Sequence, residues 1–128
     1  MGAYSPVSFI TPNMLGKIRE EIITPTLKGM EREGNPYQGI LYCGLMIDEH
    51  GEPRVVEFNS RLGDPEAQVV LPLLDEDFFE ICWAVTEGDL GKFKDGIHRL
   101  DGAALCVVIA SGGYPQTYQK GIPIEFSR

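Results

Sequence analysis

Residues 55–68 read VVEFNSRLGDPEAQ and carry the clearest structural pattern in the chain. Its first residues are apolar and polar in alternation, as in a β-strand, where successive side chains point to opposite faces. Glu57 and Asn59 therefore share one face, and Val56 and Phe58 share the other, which we expect to pack on a core. The stretch predicts a strand with one apolar and one polar face.

The polar face of this strand carries groups suited to metal and phosphate chemistry. The carboxylate of Glu57 and the amide oxygen of Asn59 are the hard oxygen ligands that Mg²⁺ or Mn²⁺ prefers. Arg61 continues the row if the strand extends that far, and its guanidinium can hold a phosphate oxygen. A solvated strand face with these residue types is also common, and these three residues alone favour that simpler interpretation.

The loop after the strand strengthens the case for a site. It adds two carboxylates, Asp64 and Glu66, in a Gly/Pro segment that leads into a helix. In the alternative interpretation, Asp64 caps a helix that begins at Pro65, and Glu66 interacts favourably with the helix dipole. The two interpretations are compatible, because a loop that caps a helix can also line a binding site.

The elements on either side follow from periodicity and turn residues. Residues 1–10 indicate a loop or an extended entry, and Thr11-Pro12 begins a helix that Pro25 kinks or restarts and Gly34 ends. Residues 38–47 and 54–59 predict a hairpin with its turn at 48–51. Downstream we expect a helix at 66–73, a helix at 76–87 capped by Asp75, and an apolar strand at 103–110. The inward face of the 76–87 helix is predicted to be Phe78, Phe79, Cys82, Trp83 and Val85.

Bulk properties narrow the function classes. The chain has 128 residues, room for one domain of ordinary size, and a formal net charge of −8, which argues against binding nucleic acid through its phosphates. Cys43, Cys82 and Cys106 show neither zinc spacing nor an even-numbered disulfide framework, and reduced thiols in a cytoplasmic protein are expected. We expect no membrane partner, because there is no signal peptide and no apolar run is long enough to span a bilayer.

The motif in residues 57–68 resembles the signature E-F-N-x-R-F-G-D-P-E-x-Q of the phosphoribosylamine–glycine ligases, which belong to the ATP-grasp superfamily. Leu62 stands where the family has phenylalanine. The flanks agree: residues 1–6 resemble the end of the family's G-G-M-G-A-Y-S-P stretch, residues 39–46 match the strand before the hairpin turn, and residues 112–115 and 118–121 look like the opening of its C-terminal domain. The resemblance covers essentially the whole chain.

The resemblance implies an activity and a role for each motif residue. Glu57 and Asn59 would hold the Mg²⁺ or Mn²⁺ that bridges the ATP phosphates. Arg61 would contact the transferred phosphate and act catalytically, and Asp64 and Glu66 would face the substrates, glycine and 5-phosphoribosylamine. The implied reaction proceeds through glycyl phosphate to glycinamide ribonucleotide, ADP and phosphate. Alternatives are a non-catalytic metal- or partner-binding module and another ATP-grasp carboxylate–amine ligase, although G-D-P-E is narrower than the E-x-N-x-R shared across the superfamily.

The resemblance also implies how the chain is organised. We expect a mixed α/β fold of the α+β type, with an antiparallel sheet backed by helices, as part of an ATP-grasp core. Residues 1–92 would form the C-terminal half of that core, and residues 93–128 the start of the ligase C-terminal domain. Because Met1 falls inside a family motif, we expect an internal piece of a longer enzyme that is inactive alone. Its apolar strand at 103–110 is expected to lie unpaired and to drive self-association, unless it folds back onto its own sheet.

Overall fold

The computed structural model describes residues 1–126 and contains two separate antiparallel sheets, each of two strands, joined by short helices. No helix in this range is both long and apolar enough to cross a membrane. In chain order the elements are β1 (Gly2–Ser5), α1 (Pro12–Ile18), a π-helical turn (Arg19–Ile23), α2 (Thr24–Arg32), β2 (Tyr42–Ile47), β3 (Pro53–Asn59), α3 (Ala67–Val70), a 3₁₀ turn (Leu71–Leu73), α4 (Phe78–Glu87), a second 3₁₀ turn (Gly91–Phe93) and β4 (Ala104–Val107).

The first helical segment begins and ends as its sequence predicts. The Thr11 hydroxyl accepts a hydrogen bond from the Met14 backbone N–H at 3.2 Å, which caps α1. At the other end Gly34 has a φ of +77°, and its N–H donates to Glu31 O while the Asn35 N–H donates to Met30 O. These two bonds form a Schellman motif, which satisfies the last carbonyls of α2.

Pro25 restarts the helix, one of the two predicted outcomes. Proline has no N–H to donate to the preceding turn, so a regular α-helix cannot continue through it unchanged. The chain widens into a π-turn over Arg19–Ile23, where the Thr24 N–H donates to Arg19 O, and α2 then begins. A single wide turn thus absorbs the missing donor while the chain stays helical.

The predicted hairpin forms from β2 and β3. At its turn the Asp48 carboxylate accepts hydrogen bonds from the backbone N–H groups of His50 and Glu52, at 3.0 and 2.9 Å, and these bonds hold the pKa of Asp48 below its usual value. Gly51 has a φ of +79°, which favours glycine. The pairing register shifts between Gly44 and Leu45, so Val56 is an additional residue in β3.

The expected core contact of the hairpin is wrong for the described residues. Val56 is 65% exposed, and Phe58 also lies at the surface. The reason is that the hairpin is a separate two-stranded sheet, and no described helix covers the face that these side chains share. The mixed helix and antiparallel-strand fold class is confirmed, but two small sheets replace the single sheet that the sequence suggests.

Helix α4 differs from its prediction at both its cap and its buried face. Asp77, not Asp75, is the N-cap, and its carboxylate accepts from the Phe79 N–H at 2.8 Å. The buried residues are Ile81 and Ala84, whereas Phe79 and Trp83 stack on each other at the surface with ring centroids 6.2 Å apart. Both pairs have helical spacing, so the sequence pattern alone cannot decide which one faces inward. Gly88, with a φ of +70°, ends the helix as predicted.

The strand predicted at 103–110 is paired along one edge, contrary to the expectation that it lies unpaired. β4 runs antiparallel to β1, from Gly2 opposite Val107 to Ser5 opposite Ala104. Helix α3 packs against both strands. Residues 1–10, expected to be a loop or an extended entry, thus supply the partner strand, and β4 has direct contacts with the first part of the chain.

Glycine positions in the first helical segment give a stability test. In α2 an added methyl group at Gly29 would meet nothing within 4 Å. Gly29→Ala is therefore expected to raise the free energy of unfolding by about 0.5–1 kcal/mol, because alanine loses less backbone entropy in a helix. Gly34→Ala is expected to lower it by about 1–2 kcal/mol, because φ is positive there. Urea unfolding followed by circular dichroism measures the free energy of unfolding of each variant. If Gly29→Ala and Gly34→Ala changed it in the same direction and by the same amount, the assigned end of α2 would be contradicted.

Candidate functional site

The predicted metal ligands lie in contact with each other at the end of β3. The Asn59 side-chain amide donates to the Glu57 carboxylate at 2.9 Å, and both side chains occupy the polar face of the hairpin. Glu57 lies opposite Gly44, whose missing side chain leaves room for it: a Cβ there would lie 3.1 Å from Glu57 Cγ. The strand therefore places the two side chains next to each other on one face, as the sequence predicts.

Arg61 does not extend this row by strand geometry, because β3 ends at Asn59. The chain bends there, and the Arg61 guanidinium donates to the Leu62 carbonyl at 2.8 Å. The side chain is exposed and lies on the loop that follows the strand. It stays close enough to Tyr42 for its charge to oppose the rise in that residue's pKa, so it belongs to the same neighbourhood as the pair on β3.

Glu66 is brought back to the hairpin by a contact that the sequence did not predict. The Tyr42 hydroxyl donates to the Glu66 carboxylate at 3.1 Å, and Tyr42 lies directly opposite Asn59 in the β2–β3 pairing. Gly63 lies beneath this contact, since a Cβ on it would collide with Glu66 Oε2 and come 2.7 Å from Tyr42 Cε2. A side chain at residue 63 would therefore force Glu66 or the Tyr42 ring to move, while the backbone there needs no positive φ.

Asp64 has a partner other than the one the capping interpretation expects. Its carboxylate accepts from the Gln68 side-chain amide at 3.0 Å, and α3 begins with Glu66 as its N-cap residue, without a side-chain capping bond. Asp64 is exposed, whereas Glu66 is half-buried. The loop therefore presents one solvated carboxylate and one that is held against the sheet.

Tyr42 is the functional-site residue that the sequence did not identify. Removal of its ring from water, the hydrogen bond to Glu66, and the charges of Glu66 and Glu57 raise the pKa of the Tyr42 phenol above its usual value. The predicted hairpin could have placed residue 42 near Asn59, since the two residues face each other in the strand pairing. The contact of Tyr42 with Glu66 could not be predicted, because it requires the loop from Gly63 to Glu66 to fold back onto the hairpin.

Glu57 and Asn59 suit a divalent cation whose remaining ligands are phosphate oxygens and water. Within residues 1–126 no group of three or more His, Cys, Asp or Glu side chains is arranged to hold a metal. Glu57 and Asn59 together provide carboxylate and amide oxygens, and Mg²⁺ commonly takes few protein ligands and completes its octahedron with phosphate oxygens and water. The pair suits a cation that arrives with a phosphorylated ligand.

Comparison with known proteins identifies the family. The family model described as "Phosphoribosylglycinamide synthetase, ATP-grasp (A) domain" matches residues 1–67, which is more than half of the chain. The chain belongs to this ATP-grasp family. The predicted resemblance is confirmed, and ATP-grasp ligases as a class use ATP together with divalent metal ions.

Relatives in the family extend the similarity beyond residue 67. The chain is 50% identical over 121 residues to the phosphoribosylamine–glycine ligase of Chlorobaculum tepidum, covering 94% of this chain and 28% of that protein. It is 52% identical over 124 residues to the trifunctional purine biosynthetic protein adenosine-3 of Gallus gallus, covering 97% of this chain and 12% of that protein. The chain thus spans less than a third of the length of these relatives.

An apolar groove of about 430 Å³ opens beside the site of this family member. Arg61 and Leu62 border it on the loop side, and Phe78, Ile81 and Val85 of α4 border it on the other. The exposed guanidinium therefore lies between a polar strand face and an apolar surface.

The Tyr42–Glu66 contact has a direct test. Because the Glu66 charge and its hydrogen bond both favour the neutral phenol, Glu66→Gln is expected to lower the pKa of Tyr42. Glu49→Gln, in the exposed hairpin turn, is the control and should leave it unchanged. Ultraviolet or NMR titration of the chain measures the shift, and an unaltered Tyr42 pKa in Glu66→Gln would show that the two side chains do not meet.

Proposed function

We propose that this chain forms the metal- and phosphate-binding part of an ATP-dependent ligase that joins glycine to 5-phosphoribosylamine. The observation that carries the proposal is the meeting of Glu57, Asn59 and Glu66 around Tyr42, which gathers both halves of the motif at one end of the hairpin. The names of the relatives support the same substrates.

In this proposal Glu57 and Asn59 hold the divalent cation. The Asn59 amide nitrogen donates to the Glu57 carboxylate at 2.9 Å, so the two side chains are neighbours on one face of the strand. The carboxylate and the amide oxygen would both turn to Mg²⁺ or Mn²⁺ when it binds with ATP. The bound cation would neutralise phosphate charge and polarise the phosphoryl group. The residues of the chain supply its placement on the polar face of the sheet.

Arg61 is proposed to stabilise the phosphoryl group during transfer. Its guanidinium is exposed and bonded to a backbone carbonyl of its own loop, so it can turn to a phosphate oxygen without breaking an ion pair among the described residues. The γ-phosphoryl group of ATP would pass to a glycine carboxylate oxygen, releasing ADP. The amine of 5-phosphoribosylamine would then attack the carbonyl carbon, forming the C–N bond of glycinamide ribonucleotide and expelling phosphate.

Asp64 and Glu66 are proposed to face the substrates that carry amines. Both are carboxylates of one loop, and Glu66 is the less exposed, with the Tyr42 hydroxyl bonded to it and Gly63 beneath it. A non-catalytic metal- or partner-binding module explains the Glu57–Asn59 pair equally well. It gives no reason for a second, separately held carboxylate, so we favour the ligase.

We also propose that the chain contains parts of two domains. We assign residues 1–92 to the ATP-grasp core and residues 93–128 to the start of a C-terminal domain, in a cytoplasmic protein. The pairing of β4 with β1 shows that the two assigned segments are in contact.

A hybrid enzyme tests the proposed function. This chain would replace the 121 matching residues of the Chlorobaculum tepidum ligase, and glycine-dependent ADP release would be measured. The hybrid is expected to be active, and Glu57→Ala to lower kcat about a hundredfold, the effect typical of losing one electrostatic stabiliser of the transition state. Glu49→Ala, which removes a carboxylate that is 88% exposed, is the matched control.

The isolated chain provides the second readout of the same prediction. It should show no glycine-dependent ATP hydrolysis, and Mn²⁺ should broaden the NMR signals near residues 57–59 in the wild type but not in Glu57→Ala. An inactive hybrid, or Mn²⁺ broadening that persists in Glu57→Ala, would contradict the assignment.

We further propose that the isolated chain associates with itself through residues 103–110. Although β1 pairs with one edge of β4, the outward face remains uncovered: Leu105 is 76% exposed, Val107 67% and Ile109 93%. Contiguous apolar side chains beside an open strand edge favour strand addition by another chain.

Light scattering tests this association. The wild-type chain is expected to form dimers or larger species at high micromolar concentration, and Leu105→Lys is expected to shift it to a monomer by placing a charge on the apolar face. Leu90→Lys, at another exposed leucine, is the control. A monomeric wild type with fast hydrogen exchange across residues 103–110 would rule the proposal out.

A further inference from the structure

We propose that Tyr42 is a positioning residue whose hydroxyl fixes the Glu66 carboxylate as the anchor for the ammonium group of the amino-acid substrate. The inference rests on the proposed function and deepens it, because it assigns one end of glycine to one named side chain. Its basis is the contact of Tyr42, which lies outside the 57–68 motif, with Gly63 and Glu66 of that motif.

Tyr42 connects the strand pair to the loop. On one side its backbone pairs with Asn59, one of the proposed metal ligands, and on the other its hydroxyl reaches Glu66 at 3.1 Å. The ring also lies next to Gly44, since a Cβ there would come 3.6 Å from Tyr42 Cε1. Because the ring is held by the hairpin, the position of its hydroxyl is set by the same strands that set Glu57 and Asn59.

The Glu66 carboxylate is restrained at both of its oxygens. Its Oε1 accepts the phenol hydrogen, and its Oε2 lies over the bare Cα of Gly63. Its backbone carbonyl accepts the N–H groups of Val69 and Val70 at 3.1 and 3.0 Å, which holds the main chain of this residue at the start of α3. A fixed carboxylate binds a cation with less loss of side-chain entropy than a mobile one.

The chemistry of glycine selects Glu66 among the nearby carboxylates. Glycine is a zwitterion, and its own carboxylate must lie beside Arg61 and the metal pair to receive a phosphoryl group, which leaves its ammonium group to be neutralised elsewhere. Glu57 is committed to the proposed cation, and Asp64 is exposed and bonded to Gln68. Glu66 is half-buried, where a charge pair is screened less by water.

The test uses the hybrid ligase defined above and separates binding of the three substrates. Tyr42→Phe keeps the ring and removes only the hydroxyl, so the KM for glycine is expected to rise about tenfold, in line with the loss of one hydrogen bond to a charged group. The KM values for ATP and 5-phosphoribosylamine should not change. Tyr37→Phe is the matched control, because the Tyr37 hydroxyl donates to the Ile40 backbone carbonyl and contacts no site carboxylate.

A second variant crowds the Glu66 carboxylate and the edge of the Tyr42 ring but keeps the Tyr42 hydroxyl. Gly63→Ala places a methyl group where Glu66 Oε2 lies and should raise the KM for glycine at least as much as Tyr42→Phe. Gly16→Ala, with nothing within 4 Å of the added methyl group, is its control. Folding of each variant is checked by circular dichroism, and Tyr42→Phe, which adds no atoms, decides the question if Gly63→Ala does not fold.

The outcomes separate this inference from the function it rests on. An inactive unmodified hybrid contradicts the proposed ligase function and, with it, the inference. An active hybrid in which Tyr42→Phe leaves the KM for glycine unchanged contradicts the inference alone. A parallel rise in all three KM values also overturns it, because a merely structural role of Tyr42 predicts that result.

Discussion

The hydrogen bond from Tyr42 to Glu66 is the interaction on which the arrangement of the site depends. It joins residues 24 apart in sequence and closes the loop that leaves β3 back onto β2. A two-stranded hairpin is marginal alone, and this one has few contacts with the described helices. Its other side-chain links are the Lys17–Glu52 ion pair at 2.6 Å and the bonds from the Gln38 amide to the carbonyls of Val85 and Thr86. Those links tie the hairpin region to helices, and among side-chain bonds within residues 1–126 only the Tyr42 contact ties it to the motif loop.

The bulge at Val56 determines what the polar face presents. An additional residue in one strand increases the local twist and re-aims the side chains that follow it. After the bulge Glu57 pairs with Gly44 and Asn59 with Tyr42, so each polar residue of β3 faces a neighbour that leaves it room or flanks it with an aromatic ring. The same irregularity leaves Val56 without a cross-strand partner and exposed. One register shift thus sets the pairing of both polar residues and leaves Val56 unpaired.

Local features of the fold could be predicted from sequence, and features that depend on distant residues could not. The Thr11 cap, the ends at Gly34 and Gly88 and the hairpin turn at 48–51 each follow from a residue and its near neighbours. The pairing of β1 with β4, the choice of Ile81 and Ala84 as the buried face of α4, and the turn of Arg61 away from the strand depend on tertiary packing. In the site, the Glu57–Asn59 contact was predictable from strand periodicity, whereas the role of Tyr42 required the register and the return of the loop together.

Two glycines explain how a strongly acidic neighbourhood is built around one aromatic ring. Gly44 lies beneath Glu57 and Gly63 beneath Glu66, and a Cβ at either position would also approach Tyr42, at 3.6 and 2.7 Å respectively. The ring therefore stands between two carboxylates, each lying over bare backbone, and both charges contribute to raising the pKa of its phenol. Like charges held close together repel, and in a chain of net charge −8 no excess of basic residues offsets them. Cations that bind beside the carboxylates relieve this repulsion, and the proposed divalent metal at Glu57 and ammonium group at Glu66 would place one positive charge on each side of Tyr42.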